Sequence, residues 1–399
     1  MRVLVTTWAW PSHYRPLVPM VWALQAAGHE VQVASQPRLS TVITDSGAVA
    51  VPVGPDLDHH EVRAKSMRGL PLSSVPHAPA AGEDMANWRP DRRAKVAQVF
   101  SVFTAYSDAM LDDLLEYARW WRPDLVLFEP TTYAGPLVAA ALGVPAVRHT
   151  HGVDVQYQAR DVVADLVAPL AGRIGLGEAD LLGTRTIDPC PPSMQVDGAV
   201  CREFVQYVPY NGPAVYPTWL RPPAKPRVCL TWGTSTSQLT HEGTFLPSRV
   251  IEWTRDLGLE TVVCVTEADA VTLREHIGTG VPDVHIAENL ALHMVLPSCS
   301  AIVHQGGNGT LLTAGHFGVP QLVLPQLPDQ NFHCKQMVKT GVGRMVPAAE
   351  ASAQTVRAEL AKVLHGEEYA EAASRLREEM RAQATPGEVV DRLERLAGR

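Results

Sequence analysis

Short runs of aliphatic and β-branched residues recur along the chain, each followed by a loop, a helical stretch and a glycine. Val3-Leu4-Val5 predicts a strand, Leu17 to Ala27 a helix ended by Gly28, and Val31-Gln32-Val33-Ala34 the next strand. That order is a βαβ unit with parallel pairing. It returns at Asp124 to Phe128, then Gly135 to Leu142 as helix, then Pro145-Ala146-Val147 as strand. A second half restarts at Arg227 to Thr231, continues at Thr261 to Val265 and Ala301-Ile302-Val303, and reaches Gln321 to Pro325 after a glycine-rich turn. Two doubly wound, parallel α/β domains are the reading.

Proline punctuates the space between the halves. The stretch from Val208 to Pro226 holds Pro209, Pro213, Pro217, Pro222, Pro223 and Pro226, which disfavours helix and central strand. Residues 56–100, rich in Pro, His and charge, read as an irregular loop, long enough to suggest a binding element. Pro386 to Arg399 reads as an amphipathic helix with Val389, Val390, Leu393 and Leu396 on one face. The expected division is 1–207, a linker at 208–226, 227–380, and a last segment, 381–399, that crosses back to the first domain.

Composition narrows the class. The 399 residues include 34 Lys+Arg and 42 Asp+Glu, for a formal net charge of −8. With 46% hydrophobic and 19% charged residues the chain is globular, which excludes disorder, collagen repeats and coiled coil. The acidic balance, without a basic block, argues against nucleic acid as a partner. The six cysteines form no CxxC pair and read as buried free thiols. The N-terminal stretch lacks the features of a signal peptide. Pro136 to Val147 is too short to cross a bilayer. A cytoplasmic protein without membrane contact is expected.

Three segments carry candidate chemistry. His304-Gln305-Gly306-Gly307-Asn308-Gly309-Thr310 follows a predicted strand and opens a predicted helix. Glycines there admit a ligand close to the backbone, and first-turn amides with the helix dipole favour an anion, so the segment reads as a diphosphate cradle with His304 and Thr310 as added donors. His13 follows the first strand and Glu129 ends the strand Leu125 to Phe128. Parallel strands bring both to one sheet edge, where a carboxylate can orient an imidazole base. Asp329-Gln330 offers acceptors and donors suited to sugar hydroxyls. The run Asp56-Leu57-Asp58-His59-His60-Glu61 contains a DxD, but adjacent ligands on a short loop rarely converge on one ion, so no metal is expected.

These segments together resemble the inverting, two-domain glycosyltransferases of family 1, whose GT-B fold sets two Rossmann-like domains across a cleft. Arg2-Val3-Leu4-Val5, Ala26-Ala27-Gly28-His29-Glu30-Val31, Trp121 to Val126, Ile187 to Ser193 and Tyr207 to Gly212 look most like actinobacterial enzymes that attach deoxysugars to polyketide antibiotics. The resemblance implies the following roles. His13 is the catalytic base and Glu129 its support. The donor diphosphate is bound by Gly233, Thr234, His304, Gly306, Gly307, Asn308, Gly309 and Thr310, and the donor sugar by Asp329 and Gln330. The nucleobase lies at Asn289 and Leu290, where relatives carry an aromatic residue. That difference leaves dTDP rather than UDP resting on the subgroup alone. Trp8, Trp10, Tyr14, Trp88 and Tyr133 are candidate contacts to a hydrophobic aglycone acceptor. The nucleotide sugar is a co-substrate and no cofactor is implied. A homodimer and a helper protein both stay open. So do a nucleotide-sugar 2-epimerase and a non-catalytic helper subunit as alternatives. A dehydrogenase is disfavoured by Thr6-Thr7-Trp8-Ala9-Trp10 in place of a glycine loop.

Overall fold

The computed structural model describes residues 1–67, 70, 88–234 and 246–398. The chain divides into two compact units, Met1–Gln206 with Gln383–Arg399, and Tyr207–Ala382. Each is built on one parallel sheet.

The first sheet holds β1 (Arg2–Thr6), β2 (Glu30–Ser35), β3 (Val49–Pro52), β4 (Leu125–Phe128), β5 (Ala146–His149), β6 (Arg185–Asp188) and β7 (Arg202–Phe204), in the order β3-β2-β1-β4-β5-β6-β7. The second holds β8 (Arg227–Thr231), β9 (Glu260–Val265), β10 (Val284–Glu288), β11 (Ala301–His304), β12 (Gln321–Val323) and β13 (Gly343–Met345), ordered β10-β9-β8-β11-β12-β13. All the ladders within these sheets are parallel. The strand order therefore reverses beside β1 in one sheet and beside β8 in the other, the switch points at which such sheets bind ligands.

Central strands are buried on both faces because helices cover them. Val3, Leu4 and Val5 have no exposure, nor do Leu125, Val126 and Leu127. The helix Pro90–Trp121 runs for 32 residues and buries Phe100, Met110, Leu111, Leu114 and Trp121 in the first core. Pro90 at its first position needs no donor there and presets the backbone. The reading of 56–100 as irregular is therefore corrected at both ends. His59–Met67 is a helix and Pro90 starts another. His59–Met67 buries only Met67, so no apolar stripe announced it. The remaining part of that reading lies outside the described residues.

The helix Pro386–Leu396 belongs to the first unit, burying Val389, Val390 and Leu393. Thr385 and Glu388 form a capping box at its start. Residues 208–226 carry neither helix nor strand. Among the described residues no helix is long and apolar enough to cross a membrane.

Candidate active site

Three adjacent strands of the first sheet deliver three side chains at their carboxyl ends. The short helix Pro11–Tyr14 after β1 carries His13, Glu129 directly follows β4, and the loop after β5 carries His151. Nδ1 of His13 lies 2.7 Å from Oε1 of Glu129. That bond makes Nδ1 the protonated nitrogen and leaves Nε2 as the basic one. Glu129 is fully buried. Its oxygens also accept the hydroxyl hydrogens of Thr131 (2.7 and 2.8 Å) and Thr132 (2.9 Å). Burial alone would raise its pKa. The His13 imidazole, with His151 and Thr131, outweighs burial and holds the carboxyl below its ordinary value.

His151 is the residue that sequence reasoning missed. Its Nδ1 lies 3.7 Å from Oε1 of Glu129, and its ring centroid is 4.7 Å from that of His13. The only available signal was its place one loop beyond a central strand. The ligating atoms of His13, Glu129 and His151 lie within 4.8 Å of one another, a spacing that would also suit a cation. Both carboxylate oxygens are already engaged by His13, Thr131 and Thr132, so we read the trio as a hydrogen-bonded His13–Glu129 pair with His151 at ion-pair distance from the carboxylate.

Aromatic rings wall this edge. Trp8 stacks on Trp10 at 5.1 Å and meets the His13 ring edge-on at 5.0 Å. Its indole N–H donates to Thr131 Oγ1 (3.0 Å), which ties the wall to the carboxylate's own partner. Tyr106, Phe103 and His59 complete the group. Burial pushes the His59 imidazole down to about 4, so it is neutral at neutral pH and packs as a ring. The five aromatic candidates separate in the structure. Trp8 and Trp10 join His13, and Tyr133 is buried, its hydroxyl pKa raised by burial and by the Glu129 charge. Tyr14 is wholly buried with its hydroxyl on Ser46 Oγ (2.6 Å). Trp88 packs in the main core under the Arg92 guanidinium. Tyr14, engaged with Ser46, and Trp88, in the main core, stand apart from the ring cluster around His13, which corrects their expected role as acceptor contacts.

The run Asp56 to Glu61 disperses. Asp56 accepts from the Arg38 amide (2.8 Å). Asp58 accepts from the amides of His60 (2.8 Å) and Glu61 (3.1 Å), at the start of the helix His59–Met67. Glu61 pairs with Lys65 one turn on.

In the second unit β11 runs into the helix Asn308–Phe317 through Gln305, Gly306 and Gly307. Intrahelical bonds begin with the amides of Thr310 and Leu311, both to Gly307 O at 3.0 Å. The earlier amides are the first-turn donors, at the positive end of the helix. Gly306 has φ +92°, and a Cβ there would strike Cys334 Sγ. Gly233 closes the turn after β8 with φ +67°, and a Cβ there would strike Gln305 Nε2. Thr234 follows it, half-buried. Asn308 Nδ2 lies 3.3 Å from His333 Nε2, and Thr310 is buried.

His304 departs from its expected part. It is fully buried, its Nδ1 accepts from the Gly306 amide (3.1 Å) and its Nε2 faces Gln321 Oε1 (3.0 Å). No ring hydrogen remains for a ligand, so His304 shapes the turn. Gln305, unremarked in the sequence, has a buried carboxamide whose Oε1 lacks a partner among the described residues. Asp329 is exposed in the first turn of the helix Pro328–Lys339. Gln330 is buried, its Oε1 accepting from the amides of Gln326 (2.9 Å) and Leu327 (3.1 Å). Asn289 sits in the left-handed region at φ 51°, with its amide on Val265 O (2.8 Å). Leu290 packs half-buried against the core, so the stretch offers no ring for stacking.

Comparison with known proteins agrees with this architecture. Residues 22–233 match the N-terminal domain, and 249–396 the C-terminal domain, of the erythromycin biosynthesis protein CIII-like family. The chain is 40% identical to the 10-deoxymethynolide desosaminyltransferase of Streptomyces venezuelae, covering 100% of this chain and 97% of that one. It is 36% identical to the TDP-daunosamine transferase DnrS of Streptomyces peucetius, with the same coverage. Among solved structures, the glycosyltransferase VinC in complex with dTDP matches with a TM-score of 0.83 and 30% identity over the whole of both chains. The spinosyn rhamnosyltransferase SpnG complexed with spinosyn aglycone matches at 0.81 and 30% identity, over 99% of this chain and 100% of that one.

Proposed function

The chain belongs to the EryCIII-like family of glycosyltransferases, and from that membership we propose how its residues carry out the transfer. It is a GT-B enzyme that moves a deoxysugar from a dTDP-sugar to a polyketide or aromatic aglycone in antibiotic biosynthesis. Our proposal assigns the chemistry. Nε2 of His13 takes the proton of the acceptor hydroxyl as its oxygen attacks the anomeric carbon. The bond from that carbon to the diphosphate breaks in line, so the anomeric centre inverts. Glu129 keeps Nδ1 protonated and balances the imidazolium that forms. The leaving diphosphate is met by the first-turn amides of the helix Asn308–Phe317 and the Thr310 hydroxyl. Trp10, with the buried Trp8 stacked behind it, gives the acceptor an apolar face. Asp329 and the Asn289 to Leu290 stretch are the proposed contacts to the sugar and the nucleobase.

The observation that carries the assignment is the 2.7 Å bond between His13 and Glu129. It fixes one ring nitrogen and leaves the other as base. The test is incubation of the purified chain with dTDP-deoxysugars and a set of macrolactone and anthracyclinone acceptors, followed by mass spectrometry and NMR of the new anomeric centre. A glycoside of inverted configuration is expected. A donor whose sugar is epimerised, with no glycoside formed, would instead support the 2-epimerase reading.

A further inference from the structure

A base that is to accept a proton must start neutral. The fully buried Glu129 then faces a neutral His13, which gives it a hydrogen bond but no counter-charge. A buried carboxylate in that state is costly to keep ionised. Among the described residues, the structure brings one further basic side chain to it.

We infer that His151 is that counter-charge, a positioning residue that keeps Glu129 anionic, and so able to orient His13, while His13 is neutral. The functional part of this rests on reading His13 as the base. The geometry supports it in three ways. His151 turns Nδ1 to the same oxygen, Oε1, that His13 engages, at 3.7 Å against 2.7 Å. Its side chain is 15% exposed and that of His13 is 17% exposed, so both rings can exchange protons with solvent while the carboxylate cannot. Its loop is held rigidly. Thr150 Oγ1 donates to Asp188 Oδ1 (2.7 Å), and Asp154 is paired with the buried Arg148 guanidinium at 2.6 Å.

Among the described residues, the other ionisable groups nearby do not supply the charge. From its own segment Glu129 is faced by Tyr133, whose hydroxyl stays neutral. From the short helix Pro11–Tyr14 after β1 it is faced by His13. From the His59–Met67 helix, His59 reaches only as far as the Trp8 ring and is neutral. At the end of β5, His149 is buried and neutral, and on the loop that follows, Asp154 is already paired with Arg148 and Arg202. Thr131 and Thr132 donate hydrogens but carry no charge.

The experiment removes His13 and asks whether His151 holds the carboxylate alone. The full-length protein is labelled with 13C at the glutamate carboxyl, and the Glu129 signal is assigned by its loss in Glu129→Gln. Spectra are followed from pH 8 down to pH 5 in wild type, in His13→Ala, and in His13→Ala combined with His151→Gln or His151→Ala. Glu129 is expected to stay ionised throughout in wild type and in His13→Ala. In both double variants its protonation should move up by about one pH unit or more, into the window. Retained dTDP binding in the second unit and an unchanged far-UV spectrum identify folded protein. Two results overturn the inference: Glu129 as ionised in a folded double variant as in His13→Ala, or already protonated in His13→Ala. Neither depends on catalysis. The base assignment fails separately, if His13→Ala transfers sugar at the wild-type rate.

Discussion

Nε2 of His304 lies 3.0 Å from Oε1 of Gln321, and neither side chain has any exposure to solvent. A histidine placed so deeply is a pH liability. Burial pushes His304 down to about 4, and burial does the same to His149, while His333 falls to about 3. In the unfolded chain each takes up its proton near pH 6.5. Between about pH 6.5 and 4 the unfolded state therefore binds protons that the folded state refuses, and stability falls as pH falls. Each group contributes up to about 1.4 kcal/mol per pH unit across that window, of order 3 kcal/mol for each histidine. Denaturant unfolding should show the loss, and His304→Gln should flatten its slope by about one proton. An unchanged slope in a folded His304→Gln would mean that His304 is not neutral in the native state.

The glycines of the proposed diphosphate turn are unequal. Gly306 and Gly233 both combine a positive φ with an obstructed Cβ position. Gly309 has nothing within 4 Å of its Cβ position, and Gly307 meets only the end of the Gln305 side chain at 3.0 Å. Alanine at Gly306 or Gly233 should destabilise the protein by about 1–3 kcal/mol and abolish detectable dTDP binding. Alanine at Gly309 should leave stability within about 1 kcal/mol, because its backbone is already helical. At Gly307 the methyl is accommodated by a shift of Gln305, and valine should weaken dTDP by crowding the first amides. Calorimetric titration with dTDP, paired with thermal melts, separates the cases. Equal losses at Gly306 and Gly309 would remove steric exclusion as the explanation.

Much of this could be read without coordinates, and the failures share a cause. The interior strands were legible because runs such as Val3-Leu4-Val5 and Val262-Val263-Cys264 are apolar on both faces. β3, β7, β10 and β13 were not, and they are the four edge strands, where half the side chains meet solvent. β6 is interior, yet Arg185 and Asp188 hide it, since Asp188 is buried among polar partners. His13 and Glu129 could be placed by topology alone, each following a recognisable strand. His151 could not be told from His149, two residues away, because only the end of β5 decides which ring reaches the edge. His304 misled because a histidine beside a glycine turn suggests a donor. As the last residue of β11 it points into the core instead.

The polar cluster around β6 gives a prediction independent of catalysis. Arg148 binds Asp154 through both terminal nitrogens, at 2.6 and 3.3 Å, and is 1% exposed. Arg202 bridges Asp154 and Asp188, and Gln195 donates to Asp188 at 2.8 Å. Removing one partner strands a charge in the interior. Arg148→Met or Asp154→Leu should each destabilise the protein by about 3–5 kcal/mol, and the pair together by clearly less than the sum. A double-mutant cycle by chemical denaturation measures the coupling. Additive effects would mean that water reaches the pair.

If His13 takes the acceptor's proton, His13→Ala should lower turnover by about 10²–10⁴-fold. It should leave dTDP affinity nearly intact, because the proposed diphosphate turn belongs to the other unit. Glu129→Gln keeps an acceptor oxygen for Nδ1 but loses the charge, so its cost should be smaller. The double variant should cost little more than His13→Ala alone, because a carboxylate that acts through an imidazole has nothing to act on once the ring is gone. The pH profile adds a second check. Glu129, held below the ordinary carboxylate range by His13 and its other partners against the opposing effect of burial, stays ionised through neutral pH. The acid limb of wild-type turnover should therefore follow an imidazole, and it should vanish in His13→Ala. A phenolic acceptor that is already ionised would need less help, so the comparison should use an aliphatic hydroxyl. Single-turnover rates against pH for wild type and the three variants decide the matter, and a His13→Ala rate within a few-fold of wild type would exclude His13 as the base.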